Sequence, residues 1–378
     1  MAPKRHTTAS DAFSEAPVRS TRHPRAADSA AVALALRWGR LSALSIVAAA
    51  LGGCSGSRDV LDPASTEAAH VSSLWWLYCA VCGVVLALVW LAVLGAIARA
   101  RRQRPLIAEA VPVVRHSHDP ADRRLFRIVT GCTIATAVVL FTLLVFDFST
   151  GRARTATSTA PVLTIKIIGH QWWWEIEYQD ASPAKTIVTA NELHLPVGQP
   201  VQLLLQSDDV IHSFWIPNLQ GKKDLIPGHP TTLWLHPDRT GTFHGQCAEF
   251  CGLQHAHMQL LAVVESPAMF AKWQQQQRQD APAPKTDSQK RGRDVFLTTS
   301  CAMCHTIQGT RAGARTGPPL THLASQAYIG ANSFPNRRGY LAGWILDPQA
   351  MKPGVRMPQN SLSADDLNAL LDYLETLQ

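Results

Sequence analysis

Cys247-Ala-Glu-Phe-Cys251-Gly-Leu-Gln-His255-Ala-His-Met258 decides how the rest of the chain is read. Two thiols, a candidate imidazole at His255 and a thioether fall within twelve residues. Soft sulfur combined with imidazole suits copper rather than a hard cation. Three plainer readings compete. An oxidised Cys247–Cys251 pair would suit a secreted domain, but it leaves His255 and Met258 unexplained. Half of a zinc site does not account for Met258, because thioether is a poor zinc ligand. A blue-copper site uses one cysteine, two histidines and a weak axial methionine, whereas two cysteines suit a pair of copper ions. A second imidazole is available upstream, at His212 in Asp208-Asp-Val-Ile-His212-Ser-Phe-Trp.

The surroundings of this stretch alternate with period two. Val162–Ile168, Glu175–Tyr178, Val201–Leu205 and Thr232–Leu235 are strand-like, separated by turns at Pro196, Gly198, Pro217, Gly221, Pro227, Gly228, Pro237 and Gly241. Short strands with regular turn signals predict a β-sandwich or barrel over residues 160–273. On a strand, Trp172 and Trp174 would share one face and Trp173 the other. Packing is the plain reading of all three. His170, His244 and His257 lack evident partners in the sequence and are not assigned as ligands.

The string C-x-E-x-C-x-x-x-H-x-x-M, with D-x-x-H upstream and Gly169-His-Gln-Trp-Trp-Trp174 before that, closely resembles subunit II of haem–copper cytochrome c oxidases. The resemblance runs from about Ser73 to Trp273. It implies a cupredoxin-like Greek-key domain holding a dinuclear copper centre, CuA. On that resemblance Cys247 and Cys251 bridge the metals and His212 and His255 each cap one. Met258 and the Glu249 carbonyl are weak ligands, and the Glu249 side chain helps to bind magnesium at the contact with subunit I. Trp172 becomes the residue that receives electrons, with Trp174 beside it.

Two apolar stretches precede this domain. Ser73–Ile97 and Phe126–Phe146 are each long enough, at ~1.5 Å per residue, to cross a hydrocarbon core of ~30 Å. The loop between them carries Arg99, Arg101, Arg102, Arg104, Arg115, Arg123 and Arg124. The positive-inside rule places it in the cytoplasm and everything after Asp147 outside. Cys79 and Cys82 form a C-x-x-C inside a span with no nearby histidine, so they read as apolar residues. Residues 1–53 read as a disordered n-region followed by a signal-like apolar run from Leu41. That run ends at Leu51-Gly-Gly-Cys54, which resembles a lipoprotein cleavage box and would leave a lipid anchor on Cys54. The alternative is an ordinary signal with an incidental cysteine. The formal charge of +7 lies largely in these N-terminal and loop segments. It fits membrane topology rather than a nucleic-acid surface.

After Trp273 the chain becomes glutamine-rich and then proline-rich, and 274–289 reads as a flexible linker. Ser300-Cys301-Ala-Met-Cys304-His305 contains C-x-x-C-H, the c-type haem attachment sequence. The thiols would form thioethers with the haem vinyls, and His305 would be the proximal iron ligand. Residues 290–378 resemble class I cytochromes c, an all-α fold, through Gly317-Pro-Pro-Leu320 and Lys352-Pro-Gly-Val-Arg-Met357-Pro. Met357 matches the distal ligand, with Met351 its rival. Ser363, with Asp366 at the capping-box position, predicts a closing helix. Its stripe of Leu367, Leu370, Leu371 and Leu374 would pack near Val295 and Phe296.

Membrane hairpin, copper domain and haem domain in one chain resemble subunit II of a caa3-type oxidase. That implies passage of electrons from a donor cytochrome c through haem c and CuA to subunit I, with subunit III as a further partner. Oxygen would be reduced in subunit I, with proton pumping. The implied setting is the bacterial cytoplasmic membrane, with both redox domains on its outer face. A quinol-oxidase subunit would lack the copper donors. A nitric oxide reductase-like subunit would differ mainly in its partner. A copper-delivery protein would not need a haem domain and would release copper readily.

Overall fold

The structure is a computed structural model and describes residues 58–102, 120–156 and 163–378. The signal-like segment, Cys54 and most of the arginine-rich loop lie outside the described residues.

Helices α1 (Thr66–Arg102) and α2 (Pro120–Ala156) have 37 residues each. Both are apolar enough to span a membrane, over 66–102 and 122–149. Each runs beyond the apolar stretch within it. Helical hydrogen bonding does not require apolar side chains, so it continues through the polar flanks. The start of α1 is tied to the domain that follows. Ser65 Oγ accepts from Ala68 N at 3.1 Å as an N-cap. Ala64 N donates to Asn218 O at 2.7 Å, and Glu67 pairs with His236.

Ten strands form two five-stranded sheets. The first sheet contains β1 (Leu163–His170), β2 (Trp173–Tyr178), β3 (Ile187–Ala190), β5 (Val201–Ser207) and β8 (Thr231–Leu235), in the order β3-β2-β1-β5-β8. The second contains β4 (Glu192–Pro196), β6 (His212–Trp215), β7 (Lys223–Leu225), β9 (Gly241–Cys247) and β10 (Gln259–Glu265), in the order β4-β10-β9-β6-β7. Alternation supplies the core: Ile165 and Ile167 from β1 and Val201, Leu203 and Leu205 from β5 are fully buried. β1 pairs antiparallel with β2 and parallel with β5, so the chain must cross over between them. This is the cupredoxin-like sandwich expected from the alternating pattern and the resemblance.

Helix α3 (Pro267–Gln277) follows, capped by Ser266. Residues 274–277 therefore finish a helix rather than open a linker, because glutamine is a good helix former. Helix α4 (Asp287–Thr298) begins with a full capping box between Thr286 and Gln289. The connector is thus shorter than the biased composition suggests, 278–286.

The C-terminal domain is helical: α4, α5 (Arg338–Leu346), α6 (Pro348–Met351) and α7 (Ala364–Leu374), with one short hairpin, β11 (Tyr328–Ile329) and β12 (Phe334–Pro335). α7 crosses α4 where Gly292 lets the backbones meet; a Cβ there would lie 1.9 Å from Ala369 O. Ser363 caps α7 by accepting from Asp366 N at 3.1 Å. The reciprocal half of the expected box is absent, since the Ser363 hydroxyl donates to the Asp366 carboxylate instead, at 2.7 Å.

Candidate metal and haem sites

Strand pairing builds the sulfur site. β6 lies beside β9, with Phe214 opposite Cys247, which brings His212, the first residue of β6, to the end of β9. Cys247 N donates to Met258 O at 2.9 Å and closes the loop between them. A single 3-10 turn, His255–His257, aims His255 back at the sulfurs.

The resulting donors face one another. Cys247 Sγ lies 3.7 Å from Cys251 Sγ and 3.9 Å from His212 Nδ1. Cys251 Sγ lies 3.6 Å from His255 Nδ1 and 3.8 Å from Met258 Sδ. The Glu249 carbonyl stands 3.2 Å from Cys247 Sγ, while its side chain is half-buried. His212, Cys247 and Cys251 are buried, with donor atoms within 4.8 Å of one another. Each imidazole addresses a different sulfur. This donor set fits two soft metal ions bridged by two thiolates, with one histidine for each.

Hydrogen bonding tunes the set. The Cys247 thiol is pulled down to about 3, first by its hydrogen bond with Cys251 and then, against burial, by His212. Cys251 is pushed up by the same neighbour, as expected of two thiols sharing one proton. His212 Nε2–H donates to Asp209 Oδ1 at 2.8 Å, which fixes the tautomer and leaves Nδ1 facing Cys247. Burial pushes the Asp209 carboxyl up, but His212 and the amides of Val210 and Gln171 outweigh it and hold it at about 2.

The Gly169-His-Gln-Trp-Trp-Trp174 string now has a physical account. A Cβ on Gly169 would lie 2.7 Å from the His212 ring, so only glycine lets that imidazole pack against β1. Trp172 precedes β2 and occupies a turn, which corrects the expectation that it shares a strand face with Trp174. Its indole N–H donates to Cys251 O at 3.0 Å, and Gln171 Nε2 reaches the same carbonyl at 2.8 Å. Both press on Gly252, whose φ of +111° also favours glycine. Trp174 is fully buried, edge-on to His212 at 6.0 Å. Trp173 stacks on His170.

The three other histidines do have partners. His170 pairs with Glu175 at 3.1 Å, His257 Nδ1 lies 2.7 Å from Gln254 Oε1, and His244 meets Tyr328 edge-on. None of these three belongs to the sulfur cluster.

In the helical domain, a turn over Ser300–Met303 carries Cys301 and ends at Cys304, both half-buried. His305 Nδ1 lies 2.7 Å from Pro318 O, so this nitrogen carries the proton and Nε2 is left for a metal. Burial holds His305 in the neutral form, with the Pro318 carbonyl opposing it only in part. A Cβ on Gly317 would lie 2.7 Å from the ring, which explains glycine before Pro318. A fixed His305 tautomer next in sequence to the Cys301–Cys304 pair fits covalent haem. Met357 is half-buried on a loop staked by Gln349 Nε2, which donates to Val355 O and Met357 O. Met351 Sδ instead packs at Gly343, on α5.

Sequence reasoning missed how the two domains meet. Arg315 pairs with Glu175 and Glu177 on β2. Arg356 reaches Asp209 at 3.2 Å. Gln254, inside the metal loop, donates to Pro353 O at 2.7 Å. The Lys-Pro-Gly turn was visible, but its partners in the sandwich lie nearly a hundred residues away or more.

Known proteins resemble this chain over both of its redox-type domains. Residues 182–266 match the family described as cytochrome C oxidase subunit II, periplasmic domain, and residues 289–378 match cytochrome c. Those two families imply CuA copper and haem. The chain is 35% identical over 215 residues to cytochrome c oxidase subunit 2 of Alkalihalophilus pseudofirmus, covering 57% of this chain and 61% of that one. It is 31% identical over 252 residues to the Bacillus subtilis protein of the same description, covering 64% and 69%. It is also 32% identical to the solved periplasmic domain of subunit II of cytochrome oxidase of Bradyrhizobium japonicum, covering 31% of this chain and 94% of that chain, with a TM-score of 0.29. The chain spans 61% and 69% of the two curated relatives' own lengths. On sequence, membrane-type helices and sandwich, the chain belongs to the cytochrome c oxidase subunit 2 family and carries a C-terminal cytochrome c domain.

Proposed function

We propose that this chain is the electron-receiving subunit of a bacterial respiratory cytochrome c oxidase of the caa3 type. Haem c and the CuA pair supply one-electron carriage from a donor cytochrome c toward subunit I, where oxygen is reduced to water with proton pumping. Cys247 and Cys251 would hold both coppers. His212 and His255 would serve one each, with Met258 and the Glu249 carbonyl as weaker donors. Cys301 and Cys304 would tether the haem, and His305 and Met357 would supply ligands to its iron. The Glu249 side chain contributes to a magnesium site against subunit I, and subunit III completes the assembly. The hairpin sits in the cytoplasmic membrane with both domains on the outer face, and Cys54 carries a lipid anchor.

One observation carries this reading: two buried sulfurs 3.7 Å apart, each addressed by its own imidazole. A delivery site that must release its metal gains nothing from such enclosure. Metal analysis and electron spin resonance of the purified full chain test it. Two coppers sharing one unpaired electron are expected, and Cys251→Ser should lose both the second copper and the delocalised spectrum. Full copper content with an unchanged spectrum in that variant would refute the bridging assignment.

A further inference from the structure

Lys352 is a long cationic side chain that is only 2% exposed, and no carboxylate pairs with it among the described residues. Its Nζ lies 2.9 Å from Gly330 O in its own domain, and 2.8 Å from His257 O and 3.4 Å from Trp172 O in the sandwich. An ammonium has three donors, and here three carbonyls from three separate segments receive them. Burial pushes its pKa down to about 7, against the pull of the Cys251 sulfur.

The carbonyls are not arbitrary. Trp172 also bonds the Cys251 carbonyl, and His257 sits in the loop between Cys251 and Met258. On the other side, Lys352 opens the segment that ends at Met357. The next two residues touch the same loop: Pro353 O accepts from Gln254, and a Cβ on Gly354 would lie 2.6 Å from Leu253. Elsewhere the domain boundary is bridged by scattered hydrogen bonds, Gln259 N to Ala331 O at 3.3 Å, Gln326 Nε2 to Ala190 O at 3.3 Å and Ala327 N to Glu192 Oε1 at 2.8 Å, with open space between them. A cavity of about 410 Å³, lined by residues including His194, His244, Gln326 and Tyr328, lies along it. The Arg315 and Arg356 side chains are 57% and 62% exposed while their carboxylate partners are 6–12% exposed, so solvent and salt reach these pairs from the arginine side.

We propose that Lys352 is a positioning residue that pins the Met357 loop to the copper loop and so sets the path between haem and copper. This rests on the reading of the two centres given above. Electron transfer falls off steeply with separation, so a domain that rocks about its connector would conduct only while docked. A buried three-way contact holds docking against that motion, and salt does not screen it as it screens the exposed pairs.

The test uses the full chain in its oxidase complex, with Lys352→Met, which keeps the apolar stem, and Lys352→Gln, which keeps part of the donor capacity. One measurement is photoreductant-triggered haem-to-copper transfer. The other is hydrogen exchange at the Ala327 amide, which donates across the domain boundary to Glu192 at 2.8 Å. Lys352→Met should lower both rate and protection by about tenfold or more, equivalent to roughly 1.4 kcal/mol of docking. Lys352→Gln should fall between it and the parent, with both centres' spectra and potentials unchanged. If Lys352→Met does not fold, the glutamine variant alone decides. Rate and protection within twofold of the parent would overturn the proposal. So would a loss of rate with protection retained, or a rate change matched by altered potentials. A parent chain without copper or haem would instead refute the assignment of the centres, and the exchange measurement would still judge the clamp.

Discussion

The indole N–H of Trp172 donates to the carbonyl oxygen of Cys251, 3.0 Å away. One tryptophan at the domain boundary is thereby joined by a single hydrogen bond to the backbone of a sulfur donor. Its own carbonyl faces Lys352 from the other domain.

Trp172→Phe should therefore slow electron arrival at the copper pair and leave its spectrum nearly intact. Gln171 still holds the Cys251 carbonyl at 2.8 Å, so the loop keeps its shape. Stopped-flow reduction of the complex measures the rate. An unchanged rate would reduce Trp172 to a packing residue.

Asp209→Ala should weaken copper binding by about 10–100-fold, the usual effect of removing a group that orients a ligating histidine. A competition titration against a copper chelator reads it. The same carboxylate predicts an acid limit. Its folded pKa of about 2 is depressed from ~3.9 in an unfolded chain. Its contribution to stability is therefore complete above pH ~4 and is lost as the pH falls from there toward about 2. Asp209→Ala should flatten that part of the stability curve.

Met357→Ala should abolish the weak absorption band of the sulfur–iron bond and lower the haem potential, because a thioether ligand raises it. Met351→Ala should keep both, since its sulfur packs on Gly343. It should cost roughly 1–2 kcal/mol in stability, below the range for a fully buried methionine. Potentiometric titration of the two variants separates them; the reverse pattern would make Met351 the ligand.

Gly292→Ala should destabilise the haem domain by about 3 kcal/mol, at the upper end for overpacking, because the Ala369 backbone cannot yield as a side chain would. Thermal unfolding followed at the haem would show it. A neutral result would mean that α4 and α7 can separate freely.

The sequence alone determined those features that are local. Apolar length marks the membrane helices, because a bilayer demands an unbroken span. Soft donors at short spacing mark the loop from Cys247 to Met258, and C-x-x-C-H marks haem attachment, because several of the donors in each case fall within one short stretch of chain. Alternation marked β1 and β5. What the tertiary structure decided is whatever depends on register between distant segments. His212 reaches Cys247 only because β6 pairs with β9. Trp172 leaves the strand face because β2 begins one residue later. Lys352 finds its carbonyls across a domain boundary that no periodicity describes. A carbonyl has no residue identity, so a contact made to backbone leaves almost no trace in sequence until the fold aims it.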